Sequence, residues 1–456
     1  MLSPLLLPDL RIAIVERDWE TIAAFGEELH PRDVAELLES LDEPEATDAI
    51  FAHWNPMVAA SVLEYLPPVL QDALVERLDR TVLAHMLEKM SHDERADLVK
   101  RMDEAHLEIV LPLVNKAERE DIRRLVAYEE GTAGAVMTSD YAALPAGLTA
   151  AEALQQLRHM APNRETIYYL YVLDPERRLL GFVSLRDLVM APPFQTVERL
   201  MKSDPMYVTA DAPVREAARL LAEYDLIALP VVDADQRLVG IITHDDAIDI
   251  VEEEATEDIH KLGAVAPIEE NYLETDVLNV WRKRVVWLAL LFIAELATFT
   301  VMDHYEKALK TVSALIFFVP LVLATGGNSG SQAATLMTRA LGLGQVTLAD
   351  WRRVIGREIV VGTLLGVALG AIGWLRCVLS PDNVIGSVDR WTLSLAVGMA
   401  VAGVCLWGSL IGAVLPLLFK RINVDPALAS SPFVATFVDV SGMLIYFNAA
   451  RLALGL

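Results

Sequence analysis

The apolar residues in the second half of the chain limit its fold more than any other feature. Five mostly apolar stretches follow residue 284, each close to the roughly 20 residues that a membrane-spanning helix needs. They lie at about 285–303, 311–338, 357–379, 391–419 and 432–454. The net charge is −26 although the mean hydropathy is +0.36. Residues 285–456 hold 11 Lys and Arg against 9 Asp and Glu, so the acidic excess lies before them. We therefore predict an acidic water-soluble part followed by a membrane part of five spans.

The acidity of the front part restricts its partners. Binding to nucleic acid depends on Lys and Arg contacts with phosphates, so we expect no nucleic-acid partner and favour cations instead. The two cysteines, Cys377 and Cys405, lie in the apolar half and imply no disulfide framework. Residues 1–10 contain no basic region before their one apolar run, so we expect no cleavable signal peptide and a cytoplasmic N-terminal half.

Basic residues beside the spans predict the orientation in the bilayer. Clusters at 282–284, 352–357 and 420–421 precede the first span, precede the third and follow the fourth. Since such clusters stay on the cytoplasmic side, we predict a cytoplasmic N-terminus and a C-terminus outside.

A weak helical phrase repeats through residues 24–126. It begins at Val34, Val58, Val82 and Leu107, with a period of about 24 residues, and each copy has apolar residues at helical spacing. Such units must stack to bury their apolar faces, so we predict an all-α superhelical domain. The alternative to a functional role for its acidic face is a scaffold with a solvated surface.

From Ala135 the pattern changes to short apolar strands alternating with helices, and it does so twice. The first copy contains TIYYLYVLD and LLGFVSLRDLV, and the second contains IALPVVD and LVGIITHDDAI. Two β-α-β-β-α units resemble a tandem pair of α/β CBS domains, a regulatory module that often binds adenosine ligands. In each copy a hydroxyl precedes an aspartate by three positions, at Ser184 and Asp187 and at Thr243 and Asp246. Such a pair is typical of a ribose site in CBS modules, and equally of a helix cap.

An acidic connector follows the second copy. Residues 249–276 contain a single Lys or Arg, Lys261, and the first part of this segment has apolar residues at helical spacing. The acidic residues in this segment are Asp249, Glu252, Glu253, Glu254, Glu257, Asp258, Glu269, Glu270, Glu274 and Asp276. A helix with so many carboxylates repels itself unless cations neutralise it, so we predict an ion-sensing link.

Two features of the membrane half indicate an ion path. The second span contains ATGGNSGSQ at 324–332, where three glycines and several polar residues predict irregular backbone whose carbonyls suit Mg²⁺ or Ca²⁺; glycines that only pack helices are the alternative. The last span carries Asp439, and an acid at that depth indicates a functional site or a structural ion pair. Glu295 in the first span lines a vestibule, packs against a helix or is neutral.

Several strings together resemble one family. They are PLVLATGGNSGSQAATLMTR at 320–339, DWRR at 350–353, DPALASSP at 425–432 running into DVSG at 439–442, and ATEDIHKLG at 255–263. This combination is similar to the MgtE family of magnesium transporters over the whole chain. The resemblance implies an N domain at 1–134, CBS domains at 135–196 and 197–251, a connecting plug helix at 252–281 and a five-span membrane domain at 282–456.

The function that the resemblance implies is import of Mg²⁺ down its electrochemical gradient by a homodimeric, magnesium-selective channel of the bacterial inner membrane. The pore lies at the dimer interface, so Asp439 of each subunit faces the same ion, and Asp425 lies near the cytoplasmic mouth. The remaining pore residues are Ala435, Thr436, Gly326, Gly327, Asn328, Ser329 and Gln332.

Regulation is implied as well. In the family, cytosolic Mg²⁺ bridges acidic groups of the N domain, the CBS pair and the plug, and closes the pore. The matching residues are Asp93, Asp97, Asp225, Asp246, Asp249, Glu254, Glu257 and Asp258. ATP is a possible regulatory ligand of the CBS pair, at Arg186 and Asp187.

A transporter of another divalent cation, Mn²⁺ or Co²⁺, is the alternative function. The oxygen ligands and the lack of His or Cys among the implied pore residues argue against it. No Walker A loop, His/Cys cluster or HExxH motif occurs in the sequence, so we predict that the chain is not an enzyme.

Overall fold

The structure, a computed structural model, describes residues 3–41, 43–161, 165–268, 272–273, 275–386 and 388–455. The chain divides into two units, Met1–Glu252 and Glu253–Leu456. Each is described by itself below.

Ten short helices form the front of the first unit. They are α1 (Ser3–Glu16), α2 (Trp19–Glu28), α3 (Pro31–Leu41), α4 (Pro44–His53), α5 (Pro56–Glu64), α6 (Pro68–Arg77), α7 (Arg80–Leu87), α8 (His92–Arg101), α9 (Glu104–Val110) and α10 (Lys116–Val126). Four begin with proline, whose missing N–H costs nothing at a first helical position. Others begin after a side-chain cap, such as Asp18, which accepts from the Thr21 amide at 3.1 Å.

The helices stack in two rows, which confirms the predicted helical repeat. Odd-numbered helices from α1 to α9 contact one another in order, and so do the even-numbered helices from α2 to α10. The first helices of the four phrases are α3, α5, α7 and α9, and their apolar residues form one continuous core. Stacking therefore buries faces that a single unit would leave in water.

Two βαββα units follow α11 (Ala133–Val136). The first contains β1 (Tyr141–Pro145), α12 (Ala150–Met160), β2 (Thr166–Leu173), β3 (Leu179–Ser184), α13 (Leu185–Met190), α14 (Val197–Leu200) and β4 (Lys202–Ser203). The second contains β5 (Val208–Thr209), α15 (Val214–Glu223), β6 (Ala228–Val232), β7 (Leu238–Thr243) and α16 (His244–Leu262). In both, the first strand pairs parallel with the second, across a helix, and the second pairs antiparallel with the third. The predicted α/β repeat is confirmed.

Helix α16 crosses the limit that the sequence predicts between the second βαββα unit and the connector. It runs without interruption from His244 to Leu262, so a boundary at 251 falls inside it. Residues 244–262 contain neither Gly nor Pro, and nothing in them ends a helix.

Five long helices in the second unit meet the length and hydropathy of membrane spans, as predicted. The helices of this unit are α17 (Val277–His304), α18 (Glu306–Thr311), α19 (Ala314–Gly342), α20 (Trp351–Val378), α21 (Asp382–Ile385), α22 (Arg390–Arg421) and α23 (Ser431–Leu454). Helix α22 packs against α19, α20 and α23, and α17 packs against α23. Most ends of the long helices extend beyond the predicted apolar stretches because polar residues there continue the helix, whereas α19 begins at Ala314, three residues after the predicted start.

Candidate ion pathway and regulatory carboxylates

The polar segment of the second span is regular helix, so the prediction of irregular backbone is wrong. Residues 324–332 lie inside α19, which is continuous over 29 residues. The glycines permit close packing instead. A Cβ at Gly408 of α22 would overlap the carbonyl oxygen of Gly326, and one at Gly412 would overlap that of Gly330. These carbonyls therefore face the α22 backbone, which is the packing alternative.

The side chains of this segment point in two directions. Ser329 is 6% exposed, and its hydroxyl donates to the Cys405 carbonyl at 3.1 Å and lies 2.7 Å from the Ser409 hydroxyl. Ser329 therefore faces α22, where its hydroxyl is already hydrogen-bonded. Asn328 and Gln332, in contrast, are exposed.

Asp439 of α23 lies beside Gly327 of α19. A Cβ at Gly327 would stand 3.6 Å from Asp439 Oδ1 and 3.5 Å from the Ala435 Cβ. Asp439 Oδ1 is buried and has no hydrogen-bond partner among the described residues. The structure thus brings together Gly327, Ala435 and Asp439, three of the residues that the family resemblance implies for the pore. A buried carboxylate oxygen of this kind suits a cation or its bound water.

Two polar residues near Asp439 in sequence are engaged elsewhere. Ser441 accepts from the Trp407 indole at 2.8 Å and donates to the Phe437 carbonyl at 2.7 Å. Asn448 donates to the Tyr305 hydroxyl at 3.0 Å. Glu295 of α17 lies within electrostatic range of Asp439.

Asp425 begins the turn between α22 and α23. Its Oδ1 accepts from the Ala427 amide at 2.9 Å, and its Oδ2 accepts from the Lys261 ammonium at 2.9 Å. Lys261 is also 3.1 Å from Glu257 Oε2. Burial lowers the pKa of Lys261, but its bonds to Asp425 and Glu257 outweigh this and raise the pKa above its usual value.

A group of carboxylates gathers in the first unit. Asp93 of α8 is half-buried, and its buried Oδ1 has no hydrogen-bond partner among the described residues. Burial raises the pKa of Asp93 well above its usual value, and repulsion from Asp246, Glu165 and Glu94 adds to the rise. Burial also raises the pKa of Asp246, although the Thr243 hydroxyl and amide both donate to it.

Two members of this group are absent from the sequence-based set. Burial and repulsion from Glu64, Asp97 and Asp246 raise the pKa of Glu94 to about 7. Burial and repulsion from acids that include Asp246 raise the pKa of Glu165 to about 7. Glu94 directly follows Asp93 in the sequence, so its position next to a predicted regulatory residue could have identified it. Glu165 is distant in sequence, so only the fold places it here.

The other predicted regulatory residues are more exposed. Asp97 pairs with Lys100 at 3.2 Å, Asp225 has a left-handed φ of 50°, and Asp249 is exposed on α16. Glu254, Glu257 and Asp258 follow on the same helix and are half-buried. Three acids of the predicted connector, Glu269, Glu270 and Glu274, lie outside the described residues. Within the described parts of the chain, no three His, Cys, Asp or Glu side chains are arranged to hold a metal ion.

The hydroxyl–aspartate pairs of the two βαββα units act as caps. The Ser184 hydroxyl accepts from the Asp187 amide at 3.0 Å and donates to the Asp187 carboxylate at 2.7 Å. The Thr243 hydroxyl donates to Asp246 at 2.6 Å. The capping interpretation is confirmed for Ser184 and Asp187, and Arg186 between them is exposed. In the second pair the Thr243 amide also donates to Asp246, which is one half of a capping box.

Comparison with known proteins agrees with this architecture. Three family models match: a divalent cation transporter model, MgtE, at 319–449, the MgtE intracellular N domain at 29–131, and the CBS domain at 133–193 and 197–253. The magnesium transporter MgtE of Thermus thermophilus is 45% identical over 345 residues, which cover 75% of this chain and 74% of the relative. This chain belongs to the MgtE family of magnesium transporters.

Other MgtE relatives support the assignment. The magnesium transporter MgtE of Enterococcus faecalis is 32% identical over 74% of this chain and 72% of its own. The solved cytosolic domain of the Mg²⁺ channel MgtE in complex with ATP matches 54% of this chain and 99% of that structure, with 38% identity and a TM-score of 0.51. The soluble part of a magnesium transporter matches 56% of this chain and 99% of that structure, with 27% identity and a TM-score of 0.53. The predicted CBS pair and helical N domain are thereby confirmed.

Proposed function

We propose that this MgtE family member is a magnesium-selective channel that admits Mg²⁺ past Asp439. The observation that carries the proposal is the buried Oδ1 of Asp439, which lies beside Gly327 without a partner among the described residues. Mg²⁺ loses its water shell reluctantly and is commonly held by one or two carboxylates and several waters. Gly327 and Ala435 place no bulky side chain next to the carboxylate.

The path continues along polar surface in our proposal. Asn328 and Gln332 are exposed on α19, and Thr436 lies three residues before Asp439 in sequence. Polar side chains on a membrane helix require a partner or water, so we assign this face to the interface with a second copy of the chain. In a homodimer, two Asp439 carboxylates then act on one ion. Asp425 lies at the cytoplasmic mouth.

Transport in this proposal needs no chemical energy. The protein lies in the bacterial inner membrane, with its N-terminus in the cytoplasm and its C-terminus outside. A membrane potential supplies about 2.3 kcal/mol per charge per 100 mV, which drives a divalent cation inward.

Cytosolic Mg²⁺ closes the channel in our proposal. Asp93 and Asp246 repel each other, and Glu165 and Glu94 add to the negative charge. A cation that relieves this repulsion favours the state in which the N domain and the CBS pair stay together. Further proposed ligands of regulatory Mg²⁺ are Asp97, Asp225 and Asp249 in the first unit, and Glu254, Glu257 and Asp258 on the plug part of α16. ATP is a second proposed ligand, at Arg186 and Asp187, because the related cytosolic domain was solved with ATP.

The decisive variant for the pore is Asp439→Asn, which keeps the shape of the side chain and removes its charge. We expect its Mg²⁺ flux in proteoliposomes to fall at least about tenfold, the factor for a loss of 1.4 kcal/mol. Asp303→Asn, at the exposed end of α17, is the matched control and retains full flux. Unchanged flux in Asp439→Asn would refute the pore assignment, and passage of Mn²⁺ or Co²⁺ in place of Mg²⁺ would support the alternative function.

A further inference from the structure

The end of α16 has a defined position in the membrane unit. The helix closes with bonds from the Gly263 amide to the Ile259 carbonyl at 3.0 Å and from the Val265 amide to the His260 carbonyl at 2.9 Å. The chain then reaches α17, where the Ala266 amide donates to the Lys283 carbonyl at 3.2 Å and the Lys283 ammonium donates to the Pro267 carbonyl. Lys261, in the last turn of α16, is therefore held close to the first membrane helix.

Lys261 connects this helix end to a remote part of the membrane unit. Its ammonium contacts Asp425, 164 residues away, and the side chains are 18% and 33% exposed. The other oxygen of Asp425 accepts from the Ala427 amide, and Ser430, which caps α23, is fully buried. The pair thus ties the end of α16 to the turn that leads into the helix carrying Asp439.

The charge of Lys261 is exceptional in its surroundings. It is the only Lys or Arg of residues 249–276, a segment otherwise rich in carboxylates. The proposed regulatory ion neutralises carboxylates of this segment. The Lys261 ammonium, which is part of the chain, also neutralises nearby carboxylates and does so without a bound ion. An Asp425 oxygen bonded to an ammonium is also not available to a hydrated cation.

We propose that Lys261 is a tethered cation that stabilises the closed channel by bonding Asp425. The inference rests on the proposed function, in which Asp425 lies at the cytoplasmic mouth and α16 carries the plug. Lys261 acts through position: it keeps the end of the plug on the turn between α22 and α23 and occupies the mouth carboxylate. Opening requires the Lys261–Asp425 pair to separate, so the pair acts in the same direction as cytosolic Mg²⁺.

The test compares the internal Mg²⁺ concentration that half-closes the channel in proteoliposomes. Lys261→Gln removes the charge, and we expect that concentration to rise about fivefold, the ratio for roughly 1 kcal/mol of a partly exposed ion pair. Lys261→Arg keeps the charge and stays within about twofold of the unaltered protein. Lys310→Gln is the matched control, because Lys310 pairs with Glu306 at 2.7 Å on the surface of α18. No change, or a decrease, in Lys261→Gln would overturn the proposal.

A charge exchange keeps the test valid if the single variant is poorly folded. Lys261→Asp alone places two acids together and weakens closure further, while Lys261→Asp with Asp425→Lys restores the pair in reverse. We expect the double variant to regain closure at low internal Mg²⁺, even if its flux is reduced by the loss of the mouth carboxylate. Closure no better than in Lys261→Asp would contradict the proposal.

A readout without transport separates this inference from the proposed function. Hydrogen exchange of the full-length protein in high Mg²⁺ reports the Gly263 and Val265 amides that end α16. We expect faster exchange there in Lys261→Gln than in Lys310→Gln. If the unaltered protein conducts no Mg²⁺, the proposed function fails, but the exchange rates still test whether the Lys261–Asp425 pair stabilises the end of α16. Equal exchange in the two variants would refute the role of Lys261.

Discussion

Gly327 of α19 faces Asp439 of α23, and a Cβ placed on the glycine would lie 3.6 Å from the carboxylate oxygen Oδ1. That is an ordinary van der Waals distance, so a methyl group fits there. In contrast, a Cβ at Gly408 or Gly412 of α22 would overlap a backbone carbonyl oxygen of α19. Space beside Asp439 is thus a local feature of this helix packing.

Two glycine substitutions separate conduction from stability. Gly327→Ala adds a methyl group beside Asp439 without a clash, so we expect a reduced Mg²⁺ flux with unchanged thermal unfolding. Gly408→Ala forces α22 away from the Gly326 carbonyl and is expected to destabilise the protein by about 1–3 kcal/mol. Gly356→Ala, which meets nothing within 4 Å, is the control for both measurements. Normal flux in Gly327→Ala would argue against a path at this glycine.

Stability without divalent cations is expected to depend on pH. The pKa values of Glu94 and Glu165 are raised to about 7, mainly by burial, so their charged forms are disfavoured in the folded state. The folded protein therefore binds more protons than the unfolded chain, and the melting temperature of the cytosolic part falls as pH rises from about 4.5 to about 7.

The same carboxylates should also make the stability of the cytosolic part depend on Mg²⁺. Millimolar Mg²⁺ should recover most of the stability lost at pH 8, because it neutralises the repelling charges. Glu165→Gln removes one charge, so both the fall with pH and the gain from Mg²⁺ become smaller. Glu223→Gln, at the exposed end of α15, serves as the control. A melting temperature that does not respond to pH or Mg²⁺ would contradict the role of this carboxylate group.

Nucleotide binding is tested best at Arg186, because its exposed side chain takes no part in the Ser184–Asp187 cap. We expect the full-length protein to bind ATP in calorimetry and Arg186→Gln to bind it at least about tenfold more weakly, as for the loss of a charge-assisted bond to phosphate. Arg178→Gln, on the exposed turn between β2 and β3, should bind normally. The absence of heat with the unaltered protein would remove ATP from the account.

The sequence predicts the element types well because their signals are local. Apolar spacing identifies the stacked helices, the strands of the two βαββα units and the five membrane helices. The error at residues 324–332 has a physical reason: the glycines read as breaks in an isolated helix, whereas contact with Gly408 and Gly412 of α22 explains their presence in a continuous one.

Relationships between distant residues are the part that the sequence does not supply. Glu165 joins Asp93 and Asp246 only because β2 begins beside α8 and α16, and Lys261 meets Asp425 across 164 residues. Helix α16 continues through the limit predicted at 251 and belongs both to the second βαββα unit and to the connector, although the chain divides into its two units close to this limit, after Glu252. Asp439 is recognisable from its depth in an apolar stretch, but its neighbour Gly327 requires the packing of α19 on α23.

The most direct test of the whole account is Mg²⁺ flux into proteoliposomes that hold the purified protein with its cytosolic part inside. Internal Mg²⁺ is set first to zero and then to about the millimolar level typical of weak divalent sites. We predict rapid flux at zero internal Mg²⁺ and strongly reduced flux at the higher concentration. Flux that is the same at both concentrations would contradict closure by cytosolic Mg²⁺, and no Mg²⁺ flux at either concentration would contradict the channel itself.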